Sequence, residues 1–217
     1  MKNLSFLFCL LLSSSIIFVG CKDKETPPEP TPNYPTTDEG VNINGVIWAT
    51  RNVAAPGTFA LKPEDFGMFY QWNRRVGWSS TEPLKGSNNA KTWDTSVPGG
   101  TVWEQANDPC PKGWRVPTFD ELQSLIAHFT WKDKNGVTGL LLGEAPNQIF
   151  LPAAGWRYQE DGKLSSSMNL GYYWSNSKSG DGWAWGFEFS GQDGGYYRMT
   201  TAFQASGRSI RCVKSTE

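Results

Sequence analysis

The fold class follows from one alternating stretch near the end of the chain, Trp183-Ala184-Trp185-Gly186-Phe187-Glu188-Phe189. Large aromatic residues occupy every second position, and small or polar residues lie between them. Side chains of a β-strand point alternately to its two faces, so a period of two predicts a strand rather than a helix. We expect most of the rings in this row to lie in the protein core.

Similar patterns predict further strands along the chain. The predicted runs are residues 45–53, the period-two set Met68, Tyr70 and Trp72, and residues 139–142, 149–153, 172–175, 196–203 and 209–213. One helix is expected at about residues 118–129, because Thr118 and Glu121 form a capping box at its start. The apolar residues that follow it are Leu122, Leu125, Ile126 and Phe129, spaced as one helical stripe. The chain is therefore expected to be a strand-dominated α+β protein with one firm helix.

Length and composition bound the organisation and exclude several function classes. The 217 residues fit one domain with accessory segments, and residues 75–100, rich in Ser, Gly, Asn and Pro, are expected to form a long ordered loop. A formal net charge of −1 gives no electrostatic footprint for nucleic acid. The single histidine, His128, excludes a multi-histidine metal site and is expected on a solvent-facing helix flank. We expect a protein without catalytic residues, metal or cofactor.

The first residues predict export. An uncharged apolar run, residues 4–19, follows Lys2 and ends at Gly20-Cys21, which resembles the lipobox of bacterial lipoprotein signal peptides. This pattern predicts a signal peptide at residues 1–20 and acylation of Cys21, which would anchor the chain in a membrane. A signal peptide cut elsewhere and a short uncleaved anchor are the alternatives.

The segment after Cys21 is expected to be a tether. Residues 22–39 carry five prolines and five acidic residues, and proline removes backbone donors and favours extended chain. We therefore predict a Pro-rich acidic tether at residues 21–39 and one domain at residues 40–217. A disordered tail without a spacing role is the alternative.

Two cysteines remain in the domain, Cys110 and Cys212. An exported chain reaches an oxidising compartment, where an even cysteine count favours pairing. A disulfide between them is expected, and two unpaired buried thiols are the alternative.

Six ordered motifs resemble one known family. They are IWATRNV at 47–53, GMFYQW at 67–72, NDPCPKGWRVPT at 107–118, FLPAAG at 150–155, YWS at 173–175 and SIRCV at 209–213. Together they resemble the FISUMP family (Fibrobacter succinogenes major paralogous domain) over roughly residues 41–213. The resemblance implies a C-type lectin-like fold and a secreted or lipid-anchored protein of Bacteroidetes, at the cell outer membrane and exposed at the cell surface. It implies no settled activity, and we expect Arg115 and Arg211 to hold the scaffold together.

The leading functional hypothesis is a non-catalytic recognition module for a glycan or for a host or bacterial surface protein. Binding residues concentrate on loops and strand ends of such scaffolds. The ligand-binding candidates are Tyr172, Asn176, Lys178, Asp181, Asp193, Tyr197 and Arg198. The alternatives are an adhesin or pilus-associated structural protein, and a hypervariable lectin-like display domain with variation in residues 171–208. An enzyme would require free Cys110 and Cys212 thiols or a carboxylate pair such as Glu104 with Asp108.

Overall fold

In the residues that the computed structural model describes, 32–165, 168–191 and 195–216, the chain forms fourteen strands and one α-helix. The predicted signal peptide at 1–20, the acylation site Cys21 and most of the predicted tether lie outside the described residues. The strand-dominated α+β class with one helix is confirmed. No helix within the described part of the chain is long and apolar enough to span a bilayer.

The elements are short except in the second half of the chain. They are β1 (Val41–Ile43), β2 (Val46–Trp48), β3 (Phe69–Tyr70), β4 (Gly77–Trp78), β5 (Trp114–Arg115), α1 (Phe119–Leu125), β6 (Phe129–Lys134), β7 (Val137–Glu144), β8 (Asn147–Pro152), β9 (Trp156–Arg157), β10 (Leu164–Ser165), β11 (Leu170–Gly180), β12 (Trp183–Ser190), β13 (Tyr196–Phe203) and β14 (Val213–Lys214). A 3₁₀ turn lies at Gln105–Asn107. Among the described residues the sheet orders are β1-β2-β14-β5, β3-β4, β6-β7-β8, β9-β10 and β11-β12-β13.

The sheet β11-β12-β13 has a buried apolar cluster on each face. Trp174, Ala184 and Ala202 belong to one cluster, whereas Tyr173, Phe187 and Phe189 belong to the other. This division follows from the alternation along β12, as the sequence pattern predicts. The aromatic row is not buried throughout: Trp183 is exposed and packs beside Phe203, and Trp185 is half-buried against Phe119.

The helix is shorter than its predicted range of 118–129. The capping box is present, since Thr118 Oγ1 accepts from the Glu121 amide and the Glu121 carboxylate accepts from the Thr118 amide. The helix ends at Leu125, and Phe129 begins β6, where it pairs with Leu142 of β7. Pairing with the next strand in a hairpin therefore overrides the local helical spacing that placed Phe129 on the apolar stripe.

Other predicted runs are interrupted where the backbone turns or bonds elsewhere. The run 45–53 is regular strand only to Trp48, and Asn44 and Gly45 form a positive-φ turn between β1 and β2. In the run 209–213 regular strand begins at Val213, because the preceding carbonyls bond to three different segments. The expected loop at 75–100 is fully described and contains no regular element except β4.

The disulfide prediction is confirmed. Cys110 and Cys212 are bridged across a sequence separation of 102 residues. The bridge joins the segment that leads into β5 and α1 to the residue directly before β14, so it links the middle of the domain sequence to its C-terminal end.

Two arginines serve the scaffold as expected. Arg211 is fully buried; its guanidinium donates twice to Asn52 Oδ1 and once each to the carbonyl oxygens of Ala49 and Phe150. Arg115 forms a two-pronged ion pair with Glu121, with distances of 2.6 and 2.8 Å. Both side chains fix neighbouring segments.

The compact unit of the domain begins at Asn33, earlier than the predicted boundary at residue 40. Asp38 accepts hydrogen bonds from the amides of Gly40 and Thr50 and pairs with Arg51 at 2.9 Å. The Phe59 amide donates to the carbonyl of Pro35 at 2.7 Å. The last residues of the predicted tether therefore form a clamp against the domain, which we call the Asp38 clamp (residues 35–38).

Asp38→Asn should lower the free energy of unfolding at pH 7 by about 1–2 kcal/mol. Burial acts to raise the pKa of Asp38, but hydrogen bonds from Thr50, Gly40 and Arg51 outweigh it and hold the pKa below its ordinary value. A carboxylate with a lowered folded pKa stabilises above its unfolded pKa and loses that contribution as the pH falls through the folded value. The stability difference between the parent protein and Asp38→Asn, measured by urea unfolding, should therefore be smaller at about pH 2.5 than at pH 7.

Asp181→Asn is the control for this experiment, because the Asp181 carboxylate is fully exposed in its ion pair with Lys178. Equal destabilisation of the Asp38 variant at both pH values would contradict the role of the charge.

Candidate functional site

A small aromatic pocket opens beside the hairpin of β12 and β13. Its walls are Phe129, Trp131, Leu140, Tyr196 and Tyr197, with Ser190, Gly191 and Gly195 between them, and its volume is about 240 Å³. Pockets for drug-sized ligands typically measure about 300–1,000 Å³. The dimensions of this aromatic pocket therefore suit a single ring rather than an extended molecule.

Strand register brings the walls together. Tyr197 lies opposite Phe189 in the pairing of β13 with β12, and Trp131 of β6 packs edge-on against Phe189 at 6.0 Å between ring centroids. Phe129 is on the same strand as Trp131, and its ring centroid lies 4.1 Å from that of Tyr197. Gly191 is required at the base, because a Cβ there would lie 2.3 Å from the Trp131 ring.

Exposure distinguishes these rings from core residues. Phe129, Tyr196 and Tyr197 are 42%, 42% and 41% exposed, although aromatic rings of this size favour burial. Contiguous exposed apolar surface of this kind marks interaction sites on soluble domains.

The hydroxyl of Tyr196 connects the pocket to a buried carboxylate. Glu188 Oε1 accepts from Tyr196 at 2.6 Å and from Tyr172 at 3.2 Å. Glu188 Oε2 accepts from Nε and Nη2 of Arg198 at 3.3 and 3.1 Å. We call these four residues the Glu188 network, and they are brought together because Glu188 faces Tyr172 on one neighbouring strand and Arg198 on the other.

Glu188 orients its neighbouring side chains and has no acceptor site left for a ligand. A carboxylate has about four lone-pair sites, and the network uses all four. Burial and the hydrogen bond to Glu188 raise the pKa of Tyr196 to about 12, so its hydroxyl is protonated at neutral pH. The hydroxyl oxygen of Tyr196 and the remaining N–H groups of the exposed Arg198 are left to meet a ligand.

A second arginine lies buried next to this network. The guanidinium carbon of Arg208 is 4.5 Å from the ring centroid of Tyr172 and 4.9 Å from that of Trp174. Burial lowers the pKa of Arg208 to about 10, which leaves it charged at neutral pH. Its Nε and Nη1 atoms make no hydrogen bond within the described residues, so aromatic faces and the Glu188 charge stabilise this cation.

Three of the predicted ligand-binding residues lie at this end of the sheet. Tyr197 forms a wall of the aromatic pocket and Arg198 is an exposed member of the Glu188 network. Tyr172 is only 8% exposed, and its hydroxyl supports Glu188. The structure therefore places Tyr172 as a support and not as a surface contact.

The other predicted residues are elsewhere. Lys178 pairs with Ala184 in the sheet, six residues along β11 from Tyr172, which corresponds to about 20 Å of strand. Lys178 and Asp181 form an ion pair at 3.1 Å in the turn region between β11 and β12. Asn176 is half-buried and lines a different cleft, next to the disulfide. Asp193 lies outside the described residues.

Sequence reasoning missed Glu188, Phe129 and Trp131 as site residues. A signal existed for Glu188, because it is the one charged residue in the alternating aromatic stretch and a buried charge requires partners. Phe129 and Trp131 carried no comparable signal, since the helical spacing assigned Phe129 to the wrong element.

The residues considered for catalysis have structural roles or lie at the surface. His128 is exposed, as predicted, but it lies beyond the end of α1 rather than on a helix flank, and it pairs with Glu144 at 3.2 Å. Asp108 caps a turn, with its carboxylate oxygens accepting from the amides of Cys110 and Val116. Within the described residues, no three His, Cys, Asp or Glu side chains are arranged to hold a metal ion.

The aromatic pocket and the Glu188 network are therefore interpreted from their own geometry. Comparisons of the chain with family models, with curated proteins and with solved structures found no match.

Proposed function

We propose that the chain is a lipid-anchored recognition module of the bacterial outer-membrane surface that binds a glycan without catalysis. The observation that carries the proposal is the aromatic pocket, whose wall residue Tyr196 is fixed by Glu188 next to the exposed guanidinium of Arg198. Flat aromatic faces beside oriented polar groups suit a sugar ring, which has an apolar face and a hydroxyl edge.

The size of the pocket favours a glycan over a peptide segment. Peptides dock through sheet edges or through grooves that accept several side chains. A cavity of about 240 Å³ accepts one ring. Tyr196 lines the cavity, and its hydroxyl oxygen would meet a hydroxyl group of the sugar. Arg198 lies outside the lining, with its guanidinium 5.2 Å from the ring centroid of Tyr196.

The cellular location of the protein is part of the proposal. The lipobox-like Gly20-Cys21 sequence would place the chain outside the cytoplasm, and the disulfide supports an oxidising compartment. Acylation of Cys21 would supply the membrane partner.

We also propose that the domain is a FISUMP member with a C-type lectin-like fold. Two features support this assignment. The quoted motif that ends at Thr118 leads directly into α1, and the quoted motif at residues 209–213 ends in the last strand, β14.

Tyr197→Ala should weaken glycan binding by about tenfold or more, because it removes an exposed wall of the pocket. Full-length protein in detergent would be screened on a glycan array, and the best glycan measured by calorimetric titration. Tyr196→Phe, which removes only the hydroxyl held by Glu188, should weaken binding less than the loss of a ring.

Tyr158→Ala is the matched control, since Tyr158 is also an exposed tyrosine, at 40%, but lies on the chain after β9 and outside the pocket. Binding that survives both Tyr197→Ala and Phe129→Ala would contradict the site. Absence of any glycan signal from correctly folded, bridged protein would contradict the function.

A further inference from the structure

We infer that a second ligand site, for the oxyanion of a small acidic saccharide, lies in the cleft beside the disulfide. This disulfide cleft has a volume of about 590 Å³ and includes Arg75, Trp103, Asp108, Lys112, Arg115 and Asn176 in its lining, with Cys110 of the bridge. It is separate from the aromatic pocket, and its occupancy does not depend on the glycan proposed there.

The cleft holds more positive charge than its carboxylates neutralise. Lys112 is exposed, and within the described residues its ammonium makes no hydrogen bond or ion pair. Arg75 is exposed and donates to the backbone carbonyl of Asp108 at 2.5 Å, which is a neutral acceptor. Two cationic side chains therefore line one cavity without a carboxylate partner among the described residues.

The carboxylate of Asp108 offsets part of this charge, because it interacts electrostatically with Arg75 and Arg115. Its hydrogen bonds, however, come from the amides of Cys110 at 2.8 Å and Val116 at 3.0 Å rather than from a cationic side chain of the cleft. The third cation of the lining, Arg115, is already paired with Glu121 at 2.6 Å. Arg75 and Lys112 remain available to an incoming anion.

Polar and flat groups complete the site. The half-buried Asn176 and the last described residues, Ser215 and Thr216, line the cleft, and Trp103 and Trp114, which are 5% and 9% exposed, also line it. Lys214 lies 6.0 Å from the ring centroid of Trp114 and adds a further positive charge nearby.

The residues that line the cleft indicate which class of ligand it would bind. Guanidinium and ammonium groups bind carboxylate, sulfate and phosphate through charge-assisted hydrogen bonds. The volume exceeds what one inorganic ion would fill, and the tryptophans and the amide suit an attached sugar ring. The ligand expected is a saccharide that carries a carboxylate or a sulfate.

The test uses full-length protein in detergent and calorimetric titration with digalacturonate, glucose 6-sulfate, inorganic sulfate and uncharged maltose. One or both acidic saccharides should bind, maltose should not bind in this cleft, and affinity should fall as salt rises from about 0.05 to 0.5 M. Stronger binding of digalacturonate identifies a carboxylate ligand, and stronger binding of glucose 6-sulfate a sulfate ligand.

Lys112→Gln and Arg75→Gln should each lower the affinity for the acidic saccharide by about tenfold, which corresponds to the loss of one charged hydrogen bond. Lys91→Gln is the matched control, because Lys91 is an exposed lysine outside the cleft lining. Thermal unfolding should be the same for the parent and the lysine variants, which separates lost binding from lost folding. Tyr197→Ala should leave this binding unchanged, which separates this site from the aromatic pocket.

Three results would overturn the inference. They are no binding of either acidic saccharide, binding that Lys112→Gln and Arg75→Gln both leave intact, and inorganic sulfate binding as tightly as the saccharides, which would mean that the cleft holds only an ion.

Discussion

Replacing both bridged cysteines by alanine, Cys110→Ala with Cys212→Ala, should lower the free energy of unfolding by about 4–5 kcal/mol. The bridge closes a loop with a sequence separation of 102 residues. In the chain-entropy model a loop of about 100 residues restricts the unfolded chain by this amount. Total stabilities of about 5–15 kcal/mol are usual, so this loss would be between about a third and nearly all of the stability of the domain.

Urea unfolding of the exported protein measures this loss, and the reduced parent protein is the control. Reduction of the parent protein breaks the same bond without replacing either cysteine side chain. The two should therefore unfold at similar urea concentrations. A parent that is equally stable before and after complete reduction would contradict the role of the bridge.

Arg211→Met should lower the free energy of unfolding by at least about 3 kcal/mol, which is the second large effect. The side chain is fully buried, and its removal leaves three buried acceptors without a donor. They are Asn52 Oδ1 and the carbonyl oxygens of Ala49 and Phe150. Each unsatisfied buried acceptor costs about 1–3 kcal/mol. Arg211→Lys should restore part of the loss, because an ammonium reaches fewer of these acceptors than a planar guanidinium.

Arg74→Met is the matched control for Arg211→Met. Arg74 forms a partly exposed ion pair with Asp94 at 2.8 Å, and solvent-accessible pairs of this kind contribute about 0–1 kcal/mol. Urea unfolding of both variants makes the comparison. A loss below about 1 kcal/mol for Arg211→Met would show that the buried acceptors find other donors.

Local patterns predicted the elements whose partners are also local. The alternation along β12 reflects the two faces of one strand, and the capping box at Thr118 and Glu121 satisfies amides of its own first turn. Both can be read from adjacent residues. The end of α1 could not, because Phe129 leaves the helical stripe to pair with Leu142 on another strand.

The candidate site was less predictable for the same reason. Tyr197 and Arg198 were identified from a cluster of polar and aromatic residues near the end of the chain, where they lie on one strand. Their partners Phe129 and Trp131 come from β6, which no local pattern brings beside β13. Glu188 is the one charged residue of its alternating stretch, but the period-two pattern by itself predicts only a polar position between two rings.

The Asp38 clamp has a consequence for a protein held by its N-terminal end. In the proposed arrangement, a ligand bound to another surface would transmit tension through the chain ahead of Asn33. That tension reaches the hydrogen bonds of Pro35 and Asp38 before it reaches β1. Because these bonds join to Arg51 and Phe59, further along the chain, they would bear the load and protect the edge strand from being peeled off its sheet.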